Sequence, residues 1–216
     1  MKNGVLILIN DITLQKQLEK LRSDFVANVS HELKTPITSI IGFLELLMIK
    51  SEVNSEQKTY IEKVFNQTNR LNAIIDDLLK LSKIESQEED NTIILIPQKL
   101  KPVLISAKNE IYDLVKKNEN TLQIKCSENL IANIDSQLLK EALINLLENA
   151  TKYGDKKSPL KIMVKKDSKI EIHVENIGDP INKKYYKKIF QRFFRVDKSR
   201  DRKAGGTGLG LAIVKH

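Results

Sequence analysis

Residues 25–36 read Phe25-Val26-Ala27-Asn28-Val29-Ser30-His31-Glu32-Leu33-Lys34-Thr35-Pro36, and they lie within an apolar stripe of helical period. Leu14, Leu18, Leu21 and Phe25 recur at spacings of four, three and four. Val29, Leu33, Ile37, Ile40, Leu44 and Leu47 continue the stripe. The pattern predicts one long helix, capped at Asp11 or Thr13 and running to about Lys50. A polar turn follows at Ser51–Ser55, then a second stripe of Ile61, Val64, Thr68, Leu71, Ile75, Leu78 and Leu81. Two long amphipathic helices joined by a short turn make a helical hairpin. One hairpin cannot cover both its apolar faces. A four-helix bundle of two copies is the expected solution, with packing on another domain as the alternative.

His31 stands out within that helix. It is about 200° around the helix from Val29, so the spacing turns it away from the stripe and toward water. A lone histidine is usually structural, but an outward one has no packing reason to be there. Glu32 can hydrogen-bond one ring nitrogen, which fixes the tautomer and leaves the other nitrogen as a nucleophile. Pro36 removes one backbone hydrogen bond and is expected to bend the helix one turn later.

Beyond the hairpin the pattern changes. Residues 85–91 (Glu-Ser-Gln-Glu-Glu-Asp-Asn) are acidic and polar and read as a linker. Strands are expected at 92–97, 122–126 and 131–134, and helices at about 103–117 and 136–153. Period-two alternation in Leu160, Ile162, Val164 and in Ile170, Ile172, Val174 predicts two more strands joined at Asp167-Ser168. A polar, basic stretch then leads from Gly178 to Thr207, where another helix begins. The expected organisation is a short strand-like lead at 1–13, a hairpin at 14–85, a linker at 86–91 and an α/β sandwich at 92–216. That sandwich reads as C-terminally incomplete.

The composition excludes several classes. The chain has 216 residues, 41% hydrophobic and 30% charged, which suits a globular protein with a sizeable core. A single cysteine, Cys126, excludes a disulfide framework and any cysteine-based zinc site. The three histidines, His31, His173 and His216, are too scattered to suggest a metal cluster. Val5–Ile9 is the longest clean apolar run, far short of the ~20 residues of a membrane helix.

The net charge of +8 is concentrated in one segment. Between Lys183 and Lys203 lie ten basic side chains and only Asp197 and Asp201, so the rest of the chain is neutral. A basic segment beside a glycine cluster points to a local polyanion such as a nucleoside triphosphate, not to nucleic acid. A solvated basic surface is the bland reading.

Two further constellations carry chemistry. In residues 141–153, Glu141, Asn145 and Asn149 are four apart and share one helix face. Such amides can simply be a polar face, yet amide oxygens ligate Mg²⁺ well when phosphates complete the shell. In Gly205-Gly206-Thr207-Gly208-Leu209-Gly210, half of the chain's eight glycines precede a helix. There, backbone N–H groups can approach phosphates closely.

His31-Glu32-Leu33-Lys34-Thr35-Pro36 resembles the phosphoacceptor box of bacterial two-component sensor histidine kinases. The resemblance implies that His31 accepts the γ-phosphoryl of ATP and passes it to an aspartate on a response-regulator receiver domain. Glu32 becomes its acid/base partner, and Thr35 the residue that orients a water for dephosphorylating the regulator. Residues 141–153 resemble the family's asparagine box, which implies Asn149 as the Mg²⁺ ligand and Asn145 in support of the phosphates. Lys152 is then expected to meet phosphate and Tyr153 to lie against adenine. Gly206, Thr207, Gly208, Leu209 and Gly210 match the second glycine box. Residues 190–195 match the phenylalanine box that anchors the ATP lid, with Arg195 a phosphate contact.

One box departs from pattern. Where the family shows Asp-x-Gly-x-Gly, this chain has Asn176-Ile177-Gly178-Asp179-Pro180. The Asn176 carbonyl can still accept from the adenine amino group, without charge assistance worth ~1 kcal/mol. Residues 5–13 resemble the end of a PAS sensor domain. The resemblance further implies a homodimer, and the cytoplasmic portion of a sensor anchored in the membrane only through segments outside this chain. Two rival readings are a gyrase- or mismatch-repair-type ATPase, which needs no histidine hairpin, and a dimeric pseudokinase scaffold, which Asn176 and Pro180 favour.

Overall fold

The computed structural model describes residues 13–50, 55–196 and 206–216; within the first of these, the described side chains are Val26, Val29, Ser30 and those of residues 32–49. The strand and PAS-like lead expected before Thr13, the turn at 51–54 and the basic residues Lys198, Arg200, Arg202 and Lys203 lie outside that set, as does the side chain of His31.

Helix α1 spans Thr13–Lys50 and α2 spans Ser55–Glu89, packed side by side as a hairpin. The single apolar stripe expected on α1 divides in two. Ser30, Ile37 and Leu44 are buried at heptad spacing, together with Thr68, Ile75 and Leu81 of α2. Val29, Leu33, Ile40 and Leu47 are exposed, as are Val64 and Leu71. The six-residue stripe therefore supplied two seams: one closes the hairpin, and the other is left uncovered by the described residues. Pro36 does not end α1, which continues through it. Thr38 and Ser39 each donate a hydroxyl hydrogen bond to the carbonyl four residues earlier, on Lys34 (2.9 Å) and Thr35 (3.2 Å).

Helix α2 also corrects the linker expected at 86–91. It stays helical to Glu89, and the chain turns at Asp90–Asn91, where Asn91 takes a left-handed φ of 50°. The α/β unit then runs β1 (Ile96–Lys99), α3 (Leu100–Glu110), α4 (Tyr112–Lys117), β2 (Thr121–Lys125) and β3 (Ile131–Ile134). It continues through α5 (Ser136–Tyr153), β4 (Pro159–Lys166), β5 (Ile170–Glu175), a short 3-10 turn at Lys183–Tyr185 and α6 (Gly210–Lys215). The helix expected at 103–117 begins earlier and is broken at Ile111. Pro102 fits because the third residue of a helix needs no N–H partner within it.

Strands β1 and β3 pair antiparallel, while β2 lies parallel to β4 and β4 antiparallel to β5. Leu143, Leu147 and Ala150 of α5 share a core with Leu104 and Ala107 of α3 and with Leu160 and Ile162 of β4. Asp135 caps α5, accepting from the backbone N–H groups of Gln137 (2.9 Å) and Leu138 (3.0 Å). Leu147 is fully buried, so Leu147→Ala should remove about 2–5 kcal/mol of stability, read as a lowered urea midpoint with m unchanged. A midpoint equal to the parent's would mean that this layer does not carry the fold.

Candidate functional site

The site is built where α5, the 176–178 loop and the turn before α6 meet. The end of α5 is held by backbone: Gly154 N–H donates to Ala150 O (3.0 Å), and Asp155 N–H donates to Ile177 O (2.8 Å). Glycine is required at two points of this junction. A Cβ on Gly154 would stand 2.4 Å from Ala150 O, and one on Gly178 would stand 2.9 Å from Tyr153 O. The Asn176 amide lies over Gly154 and donates from Nδ2 to Ile177 O (3.4 Å), leaving Oδ1 as its acceptor. Asn176 and Gly178 are both exposed, at the open side of the junction.

The glycine turn closes against α5. A Cβ on Gly210 would stand 2.6 Å from Asn145 Oδ1, so the amide fills the space a side chain would need. Asn145 Nδ2 donates to Glu141 O (3.0 Å), which holds that amide in place. Among the described residues Asn149 makes no side-chain hydrogen bond, and it is half-buried one turn further along the same face. Gly208 has a φ of 79°, and its carbonyl accepts from Phe193 N–H (2.9 Å). Leu209 is fully buried and anchors the turn.

The structure gives three of these side chains neighbours within the chain. Arg195 Nη1 donates to Gly206 O (2.8 Å), which ties it to the glycine turn. Lys152 Nζ bonds Glu148 Oε2 (2.8 Å), its i−4 neighbour on α5. The Tyr153 hydroxyl lies 3.2 Å from the position a Cβ of Gly206 would take, so it reaches the glycine turn as well as the end of α5. The basic segment splits accordingly. Lys183, Lys184, Lys187 and Lys188 are exposed, whereas Arg192 and Arg195 turn inward onto protein groups.

Sequence reasoning missed what α2 contributes. Leu81 and Ile84 of α2 pack with Leu209, Ala212 and Ile213 in a second buried cluster. Around it, Arg192 pairs with Glu85, and His216 lies 2.8 Å from Glu88 and 3.4 Å from Glu85. The Thr207 hydroxyl donates to Asp77 Oδ2 (2.7 Å) and accepts from Leu209 N–H (3.2 Å). Burial pushes the Asp77 carboxyl above its ordinary range, against the lowering effect of the Thr207 hydrogen bond and of Lys80. The one legible signal was the continuation of the α2 stripe to Ile84.

The acceptor box lies level with this contact. Lys34 Nζ pairs with Asp76 Oδ1 at 2.6 Å, so the turn of α2 that holds Thr207 faces the turn of α1 immediately after position 31. Glu32 and Thr35 are exposed. By helix geometry, position 31 is about 100° from the buried Ser30 and about 200° from the exposed apolar Val29, hence on neither seam.

Comparison with known proteins matches the two halves separately. The His Kinase A (phospho-acceptor) domain profile matches residues 21–87, and the histidine kinase-, DNA gyrase B- and HSP90-like ATPase profile matches residues 134–216. The phosphate regulon sensor protein PhoR of Pseudomonas aeruginosa is 35% identical over 215 residues, covering 98% of this chain and 48% of that protein. Sensor protein kinase WalK of Staphylococcus epidermidis is 34% identical over 219 residues, covering 99% of this chain and 35% of that protein. The chain thus spans half or less of the length of these curated relatives. Among solved structures, histidine kinase ThkA in complex with response regulator protein TrrA superposes with a TM-score of 0.57 at 25% identity, covering 84% of this chain and 54% of that one. Full-length ShkA in complex with AMPPNP shares the fold, with a TM-score of 0.64 at 19% identity over 89% of this chain and 40% of that one. With both domain profiles in this order and relatives aligned along nearly its whole length, the chain belongs to the bacterial two-component sensor histidine kinases.

Proposed function

We propose that this chain is a sensor kinase core that phosphorylates His31 from ATP and passes the phosphoryl group to an aspartate of a response-regulator receiver domain. The observation that carries this reading is the contact of the glycine turn with α2 at the level of the acceptor box. It joins the glycine turn to the hairpin that carries the histidine, which neither a gyrase-type ATPase nor an inert scaffold requires. The partner in transfer rests on the likeness to a kinase solved with its response regulator.

In this reading the free imidazole nitrogen of His31 attacks the γ-phosphorus. The N–P bond forms as the bond to the β,γ-bridging oxygen breaks, ADP leaves, and the ring proton passes to Glu32. Asn176 Oδ1 accepts from the adenine amino group, while Gly178 and the 206–210 backbone admit the nucleotide without side-chain obstruction. Mg²⁺, when bound, neutralises charge on the phosphates. The residues suit it, because Asn149 offers a hard amide oxygen with no hydrogen-bond partner among the described residues, whereas the Asn145 amide is fixed by its Nδ2 bond to Glu141 O and lies against Gly210. Arg195 and Tyr153 act as braces of the glycine turn.

The exposed seam of Val29, Leu33, Ile40 and Leu47 supports a homodimer through the hairpin. No described helix is long and apolar enough to cross a membrane. We assign the chain to the cytoplasmic portion of an anchored sensor. Incubation with γ-labelled ATP and Mg²⁺ should give a protein-bound label that is lost in acid and kept in base. A chain that binds ATP but takes no label would support the pseudokinase reading.

Thr35 is exposed one turn beyond His31, where its hydroxyl can hold a water. Thr35→Ala should leave autophosphorylation within about twofold of the parent while slowing phosphate loss from the regulator by about tenfold or more. Equal loss of both activities would instead give Thr35 a structural role beside Pro36.

A further inference from the structure

Asp77 is a half-buried carboxylate on the hairpin that the reaction does not use. It lies 2.7 Å from the hydroxyl of Thr207, in the middle of the glycine turn. That hydroxyl is the only side-chain donor between Gly206 and Gly210, and the turn otherwise presents backbone. A carboxylate oxygen accepting from such a turn makes the contact that a phosphate oxygen would make there. It also brings a negative charge to a place where phosphates would bring several more, and Glu148 lies close enough to add to that field. The contact is not isolated. Leu81 and Ile84 cover Leu209, Ala212 and Ile213, Arg192 pairs with Glu85, and His216 lies against Glu88. Together they hold the turn and α6 against α2 as one docked surface.

We propose that Asp77 is an internal competitor for the nucleotide phosphates, so that docking of the glycine turn on α2 and loading of the site with ATP oppose one another. The proposal rests on the nucleotide reading above and adds a regulatory contact to it. Thr207 exchanges one anion for another: with Asp77 as its acceptor the turn is held on the hairpin, and with phosphate as its acceptor it is released. Coupling of this kind is reciprocal, so ATP must loosen α2 by the same factor by which docking weakens ATP.

Two variants and one measurement on the unmodified chain test this. Asp77→Asn keeps an acceptor for Thr207 and removes the charge, while Asp77→Ala removes both. Both should bind a non-hydrolysable ATP analogue about five- to tenfold more tightly than the parent, within the range of ordinary couplings. Adenosine, which has no phosphates, should bind all three alike; a general loosening of the fold would shift it too. In the parent, saturation with the analogue should speed amide exchange over residues 77–88 of α2, an effect that needs no variant to fold. Parent-like analogue affinity in both variants, an equal shift for adenosine, or unchanged exchange in α2 would each overturn the competition. If the parent binds no nucleotide at all, the kinase reading falls and the competition with it.

Discussion

His31→Gln abolishes the acid-labile label, lowering phosphoryl incorporation by at least about 100-fold, while ATP binding stays at the parent level. Glutamine keeps a polar, hydrogen-bonding side chain of similar length and has no nucleophilic nitrogen. The nucleotide elements lie on α5, at 176–178 and at 206–210, none of which includes position 31. The other histidines do not offer substitutes. His173 is on β5 with its Nε2 3.1 Å from Glu171, and His216 is held between Glu85 and Glu88 at the end of α6. The test is filter-bound label after acid and base treatment, beside a nucleotide titration of the same preparation. Label at parent levels in the variant would remove His31 as the acceptor. Loss of label together with loss of ATP binding would mean that the substitution had damaged the fold.

The local elements were legible because local chemistry decides them. The helix expected at 136–153 is α5, and the structure has those bounds. The alternation that marks β4 and β5 is likewise a property of neighbours in sequence. The hairpin was legible as two helices but not as two seams. Ile37 and Ile40 are equally apolar, and only the position of α2 makes one buried and the other exposed. The linker was misread because Glu85, Glu88 and Glu89 look solvated in sequence. In the structure Glu85 and Glu88 are partners for Arg192 and His216, more than a hundred residues away. The same blindness applies to Asp77 and Thr207, separated by 130 residues. A carboxylate on the polar side of a helix gives no sign of what will be docked on it. Arg192 and Arg195 show the converse. A run of positive charge says that an anion is welcome, not which of its members are already engaged by the protein.

Ile40→Asp separates the two seams and should turn a dimer into a monomer. Ile40 is 44% exposed in the single chain, as is Leu33, while Phe43 reaches 65%, so α1 presents a continuous apolar face to solvent. Val64 and Leu71 extend it onto α2. A symmetric hairpin dimer buries each of these residues twice, once per copy. Each buried side chain of this size contributes about 1.5–3 kcal/mol, and a carboxylate in its place must also be desolvated. Losing one apolar pair and burying two charges should raise the dimer dissociation constant by about 10³-fold, or about 4 kcal/mol. Sedimentation equilibrium reads this directly, with the parent dimeric at micromolar concentrations and the variant monomeric. Helix content should hold, because Ile40 does not close the hairpin. Ile37→Asp is the contrast: Ile37 is 4% exposed and faces α2, so its charge should unravel the hairpin itself and lower the far-ultraviolet helical signal. A dimeric Ile40→Asp protein, or a monomeric parent, would show that this seam is covered by something other than a second copy.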